Sequence, residues 1–338
     1  MTVLTRASQE LFSRQDDECF PSLDELAVHC RRVRESSQDR WERPGQVTLT
    51  SDLNLAVGDN PDLVLNGWSF SQLCRLAGVP KDTLNRLSPK TASRVLQETL
   101  PRGEKPWQIL TADNTVRSIH GVNYTRLWND ELLTMLQEFA PDFQPPPKAN
   151  GGACGLYCGE QDLFCFLIDP LGWTEIDGET FAPGMFVWNS EVGRRSLGIQ
   201  TFWFQAVCQN HLVWDAVEVV EFSRKHTTNV RDGLDQMRAL VVDLVRKRGH
   251  RQDAFVKVVR KAMRETLGDG AEEALAKVLE AGIPARLAQE AIESAQRQGR
   301  LTIFAVVDAL TRMSQRVFYA GDRTELDAKA AGLLALAA

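Results

Sequence analysis

The chain has 338 residues, 43% apolar and 25% charged, with a formal net charge of −6; this is the composition of a globular protein with two or three cores and it excludes a disordered or fibrous chain. No run of about 18 apolar residues occurs, and Arg6, Glu10, Arg14, Asp16, Asp17 and Glu18 interrupt the start of the chain, so we expect no membrane span, no secretory signal and a cytoplasmic setting. Seven cysteines at irregular spacings (19, 30, 74, 154, 158, 165 and 208) fit reduced thiols better than a disulfide framework.

In chain order, Leu23, Leu26, Ala27 and Cys30 predict a short amphipathic helix, followed by a polar, Arg-rich passage to Pro44 and Gly45 that reads as a loosely packed lead-in. From Ser69 to Leu87 the apolar positions Leu73, Leu76, Ala77, Val79, Leu84 and Leu87 tighten into helical spacing. Gly78 stands where two helices meet and lets the chain reverse at positive φ, and Pro80 opens the second helix. If this helix-turn-helix unit read DNA, Lys81, Asn85 and Arg86 would face base edges. Its few cations and interior position favour a trihelical packing unit, completed by a helix from Pro89 through Thr91, Val95 and Leu96.

A strand at Thr115 to His120 and a helix through Leu132, Leu133, Leu136 and Phe139 follow. Pro145, Pro146 and Pro147, then Gly151 and Gly152, mark a linker. Cys154 to Cys158 and Leu163 to Ile168 predict a β-hairpin; Gly184 to Asn189 and Ser196 to Val207 predict two more strands, the second rich in Ile199, Thr201, Phe202, Trp203 and Phe204. After Val230 the apolar stripes have helical period to the end, with Gly268, Gly270 and Gly282 separating helices and Pro284 starting one. The expected fold is α+β: a helical N-terminal region at 1–110 with a helix-turn-helix-like unit, an α+β core with a mostly antiparallel sheet at 111–228, and a helical C-terminal third at 229–338.

Chemistry is sparsely signalled. Cys154, Cys158 and Cys165 lack the second short-spaced pair that a structural zinc site needs, and they read as strand residues. The five histidines lie in no nucleophile elbow or metal-binding spacing, and neither a phosphate loop nor a dinucleotide fingerprint is present, so no metal or cofactor is expected. Asn189, Ser190 and Glu191 with Gly193, Arg194 and Arg195 form the best candidate for a functional turn. Either it binds a ligand through Glu191 and the arginines, or it is a hydrogen-bonded reversal, which we favour.

The most informative stretch runs from Arg246 to Arg264. Arg246, Lys247, Arg248, Arg251, Lys257, Arg260, Lys261 and Arg264 stand against one acid, Asp253, a local charge of +7 that leaves −13 for the other residues. Segregated positive charge meets polyanions, so nucleic acid is the first partner to consider. Phe255, Val258, Val259, Ala262 and Met263 fall on one side of a helix, with Lys257, Arg260, Lys261 and Arg264 on the other. Arg194, Arg195, Arg224 and Lys225 would extend a phosphate path towards the sheet, and Trp203 would stack a base, which together predict a preference for single-stranded DNA. The rivals are an assembly or regulatory protein whose basic helix docks an acidic partner or a second copy, and an enzyme with a site around Glu191, Asn210 and His211.

The segments SFSQLCRLAGVPKDTLNRLS, RSIHGVNYTRLWNDELL, VWNSEVGRRSLGIQTFWFQAVCQNHLVW and TIFAVVDALTRMSQ, in this order, resemble the phage- and plasmid-like family catalogued as domain of unknown function 932. The resemblance spans roughly residues 65 to 335. It is most specific at Asn189-Ser190-Glu191 with Gly193, at Cys208 and Asn210, and at Ala309-Leu310-Thr311; His211 stands where the family has glycine. It implies a mobile-element setting and supplies no reaction. By topology alone, strands beside helices with basic and aromatic groups look like the strand-annealing proteins of phages, which makes recombination or annealing the expected context.

Overall fold

Helix α1 (Leu23–Glu35) is the first helix among the described residues of the computed structural model, which are 19–146, 155–205, 211–214, 221–299, 301–314, 329–330 and 332–337. Ser22 caps α1 by accepting a hydrogen bond from Glu25 N, and Leu26, Ala27 and Cys30 bury one stripe of it. The Arg-rich passage after it is not a loose lead-in. Its residues form β1 (Ser37–Glu42), and the chain just beyond it forms β2 (Val47–Leu49), β3 (Leu55–Val57) and β4 (Asn60–Leu65).

These strands join β5 (Trp107–Ala112) and β6 (Thr115–His120) in a six-stranded sheet of order β1-β5-β6-β4-β3-β2. Only the β4–β6 pairing is parallel. The boundary expected at residue 110 therefore falls inside β5. One face of the sheet is covered by α2 (Gly67–Ala77), α3 (Lys81–Leu84) and α4 (Pro89–Thr99), with Leu73, Ala77, Leu84 and Leu96 packed on Leu55, Leu63, Ile109 and Val116. Each such leucine or isoleucine, fully buried, contributes about 1.5–3 kcal/mol. Asn66 caps α2 by accepting from Trp68 N and Ser69 N, and Gly78 ends it in the left-handed region at φ 67°. The second helix of the unit has only four residues, and Lys81 Nζ donates inward to Gly67 O and Ser71 Oγ. The geometry is that of a packing unit.

The second sheet has seven antiparallel strands: β7 (Leu156–Cys158), β8 (Leu163–Ile168), β9 (Thr174–Ile176), β10 (Glu179–Asn189), β11 (Leu197–Gln205), β12 (His211–Trp214) and β13 (Glu221–Arg224). The main order is β12-β11-β10-β8-β7, with β9 on β10 and β13 on β11. β8 is apolar throughout because both faces are buried. Leu163, Cys165 and Leu167 face α1, α5 (Asn129–Phe139) and α6 (Val230–Arg246), while Phe164, Phe166 and Ile168 join an aromatic cluster with Phe186, Trp188 and Phe202. Gly198 belongs to that second face: a Cβ there would collide with the Trp188 ring.

The helical C-terminal third comprises α6, α7 (Arg248–Arg264), α8 (Ala271–Glu280), α9 (Ala285–Arg297) and α10 (Ile303–Ser314). α7 to α10 share one core, which also takes in Ile176, Phe181 and Trp203 of the second sheet. The fold is thus α+β with a helical last third, and it has two mostly antiparallel sheets where the sequence suggested one. Among the described residues no helix is long and apolar enough to cross a membrane.

Candidate nucleic-acid interface

α7 divides its residues as the pattern predicts. Phe255, Val258, Val259 and Ala262 are buried, and Lys257, Arg260, Lys261 and Arg264 are exposed. What fixes this orientation is aromatic. The Phe255 ring lies flat on Trp203 with centroids 3.7 Å apart and an interplanar angle of 5°, and it meets Phe181 edge-on at 5.4 Å. Trp203, expected to stack a base, is only 1% exposed. That expectation is corrected: both of its faces are core, and it anchors the basic helix instead.

At the start of α7 the charges are used for docking. Arg248 forms an ion pair with Asp169, whose other carboxylate oxygen accepts from Leu171 N, and Arg248 also reaches Asp142 at 3.9 Å. Arg251 is buried. Lys247 is exposed and pairs with Asp243 one turn earlier, and Arg246 is exposed at the end of α6. Of the eight cations counted in the sequence, Arg246, Lys247, Lys257, Arg260, Lys261 and Arg264 reach the surface. Among the described residues no carboxylate pairs with Lys257, Arg260 or Arg264.

The remaining candidates do not all join this face. Arg224 and Lys225 are exposed, but they precede α6, whose 17 residues span about 25 Å at 1.5 Å per residue and end at Arg246. Arg224 donates to Gln236 Oε1 and lies over the Phe222 ring. Arg194 and Arg195 converge on the buried Asp162, with N···O distances of 3.5 and 3.1 Å, and lie over the rings of Trp68 and Phe164. Both guanidiniums are tied into the protein by one buried carboxylate and two aromatic rings, which corrects their expected role on phosphate.

The turn that follows β10 is a buried junction between the two sheets. Asn189 Nδ2 donates to Leu127 O and Asn129 Oδ1; Ser190 Oγ donates to Gln161 O and accepts from Arg194 N. Glu191, 2% exposed, accepts from Arg117 Nη2 at 3.1 Å and from Asn129 N at 2.9 Å, and its carbonyl accepts from Tyr124 OH and Arg126 Nη1. Arg126 completes the network with a two-pronged pair to Asp39 at 2.7 and 3.0 Å. Gly193 sits at φ 71°, and a Cβ there would meet His120 Cε1 at 2.6 Å. The hydrogen-bonded reversal is the reading this geometry favours.

Three rings close over the junction: His120 stacks on Tyr124 at 3.6 Å, and His226 lies against the same ring at 5.6 Å. Burial, reinforced by the Arg126 charge, pushes the His120 pKa down to about 3. Burial likewise pushes His226 down to about 4 and raises the Tyr124 phenol above its ordinary range. All three rings are neutral near pH 7. Arg117, Arg126, Asp39 and Asp162 were not singled out from sequence; Arg117 and Glu191 are 74 positions apart, Arg126 and Asp39 87, and no local pattern links such residues.

For the enzyme reading, Asn210 and the side chain of His211 lie outside the described residues, as do Cys154 and Cys208. Clefts of about 730 and 700 Å³ open elsewhere, the first between Pro21, Asp24, Gln137 and Phe143, the second between Glu265, Lys277, Ile303 and Leu336. Among the described residues no group of three or more His, Cys, Asp or Glu is arranged to hold a metal ion. No family model, no curated protein and no solved structure matches the chain.

Proposed function

We propose that the protein binds nucleic acid without reading its sequence, through phosphate contacts along the exposed face of α7, in a mobile-element and cytoplasmic setting. The observation that carries this reading is the spacing of Lys257, Arg260, Lys261 and Arg264 on the outer side of a helix whose inner side is pinned to the second sheet. These positions cover about 10 Å of helix, roughly three phosphate spacings of one strand. Arg246 and Lys247 add charge at the preceding helix end. With Trp203 in the core, the reading rests on phosphates rather than on base stacking, and strand preference becomes an outcome to measure.

Four engaged cations give a slope of log affinity against log salt of about −3.6 on duplex DNA and about −2.8 on a single strand. The direct test is the triple charge reversal Lys257→Glu, Arg260→Glu and Lys261→Glu, with the melting temperature checked alongside. We expect affinity to fall by at least about tenfold while the fold persists, because these side chains are exposed. Unchanged affinity removes α7 as the interface. A salt-sensitive change of oligomer size without nucleic acid would instead mark α7 as a docking surface for an acidic partner or a second copy.

A further inference from the structure

The thiols of Cys30 on α1 and Cys158 at the end of β7 lie with their sulfurs 3.8 Å apart, although 128 positions separate them in sequence. Cys158 Sγ accepts from the Cys30 thiol and, at 3.9 Å, from the Asn129 amide, and the His29 ring lies beside it. When protonated, Cys158 turns to Gly159 O at 3.9 Å. Cys30 is closed off from solvent, Cys158 retains a small exposure, and His29, half-buried against Phe20 at 4.8 Å, stands at the surface side of the pair. Nothing in the fold or in the proposed interface requires this arrangement.

We propose that Cys158 and Cys30 form a reversible disulfide in response to hydroperoxides, with Cys158 as the attacking thiolate, His29 as the proton carrier and Cys30 as the resolving thiol. The Cys158 thiolate attacks one oxygen of the hydroperoxide; the S–O bond forms, the O–O bond breaks, and the departing oxygen takes the His29 proton to leave as water or an alcohol. Cys30 then attacks the Cys158 sulfenic acid; the S–S bond forms, the S–O bond breaks, and the hydroxide leaves with the Cys30 proton as water. Two electrons pass from two thiols to one hydroperoxide, and a dithiol reverses the change. Closing the bond requires the sulfurs to approach from 3.8 Å to about 2.05 Å, within reach of side-chain rotation and a small shift of α1. The bond ties the N-terminal helix covalently to the second sheet.

The electrostatics favour a reactive Cys158. The Cys30 thiol and then the His29 ring hold it below the ordinary thiol range, against burial and the nearby Glu191 charge, while the contact with Cys158 and burial push Cys30 up and keep it protonated. His29 is raised, chiefly by Cys158, with Glu191 adding and Arg117 opposing. The groups facing the pair are therefore His29, Asn129, Glu191, Arg117 and Cys165, the last of which also keeps Cys30 protonated.

The test uses the full-length protein with stoichiometric hydrogen peroxide and intact-mass and non-reducing peptide mapping. We expect the loss of two hydrogen masses, one cross-linked peptide joining Cys30 and Cys158, and full recovery with dithiothreitol. Cys158 should react at least about tenfold faster than the buried Cys74 of the same molecule, a comparison that needs no variant. Cys30→Ser should leave a sulfenic acid on Cys158 that a dimedone probe captures, and His29→Gln should slow the reaction about tenfold near neutral pH. Cross-linking through Cys19 or Cys165, or equal rates at Cys158 and Cys74, would overturn the proposal.

Discussion

Arg194 and Arg195, after β10, and Arg260 and Arg264, on α7, are the same residue type on the same chain, but their surroundings differ. The first two converge on Asp162 within 3.5 Å and cover aromatic rings. The last two point outward and meet no carboxylate among the described residues. A cation whose charge is already met inside the protein has little left for a polyanion, whereas a row of exposed cations on a rigid helix keeps its counterions ready for release. Burial and partner, not residue count, separate the structural arginines from the candidate binding ones.

The sharpest way to break this contrast is at the junction. Glu191→Ala leaves the Arg117 guanidinium and Asn129 N without their carboxylate acceptor in a buried site, and we expect a loss of about 3–5 kcal/mol in denaturant unfolding. Nucleic-acid affinity of the folded fraction should not change. Trp203→Ala should cost a similar amount, about 3–5 kcal/mol, by opening a cavity under α7; Trp203→Phe should cost less. If Trp203 stacked bases instead, Trp203→Phe would weaken binding with little loss of stability.

A comparable effect comes from pH. His120 and His226 carry depressed pKa values in the folded state, about 3 and about 4, against an unfolded value near 6.5. The unfolded chain therefore binds more protons below pH 6.5, so the stability present above that pH is lost as pH falls towards 4 and 3. His226→Phe should flatten the midpoint-versus-pH curve between about pH 6.5 and 4; an unchanged curve would mean that the ring is solvated. Smallest of all, Arg94→Ala breaks the exposed pair with Glu98 and should shift stability by no more than about 0.5 kcal/mol.

The legible parts of the fold were those whose residues meet near neighbours in sequence. Gly78, Pro80 and Pro284 mark helix ends in both sequence and structure, and the stripes of α6 to α10 have helical period because one face of each is core. β8 was legible from its run of apolar residues. Of the six-stranded sheet only β6 was legible. The edge strand β1 reads Ser-Gln-Asp-Arg-Trp-Glu, with Trp41 half exposed, β2 and β3 have three residues each, and β4 carries Pro61. Such strands have no apolar alternation to detect. For the site, the basic face of α7 was visible because helical spacing sorts Lys257, Arg260 and Lys261 from Phe255 and Val259. Trp203 was misassigned because an aromatic residue on a two-sided apolar strand looks the same whether its face meets a base or Phe255.

The most direct test of the central claim is a titration of the protein, freed of nucleic acid, against labelled single-stranded and duplex DNA over a range of salt. The account predicts binding at low salt to at least one form, with log affinity falling linearly against log salt at a slope of about −2.8 on a single strand or about −3.6 on duplex. Failure to bind either form at low salt would contradict it.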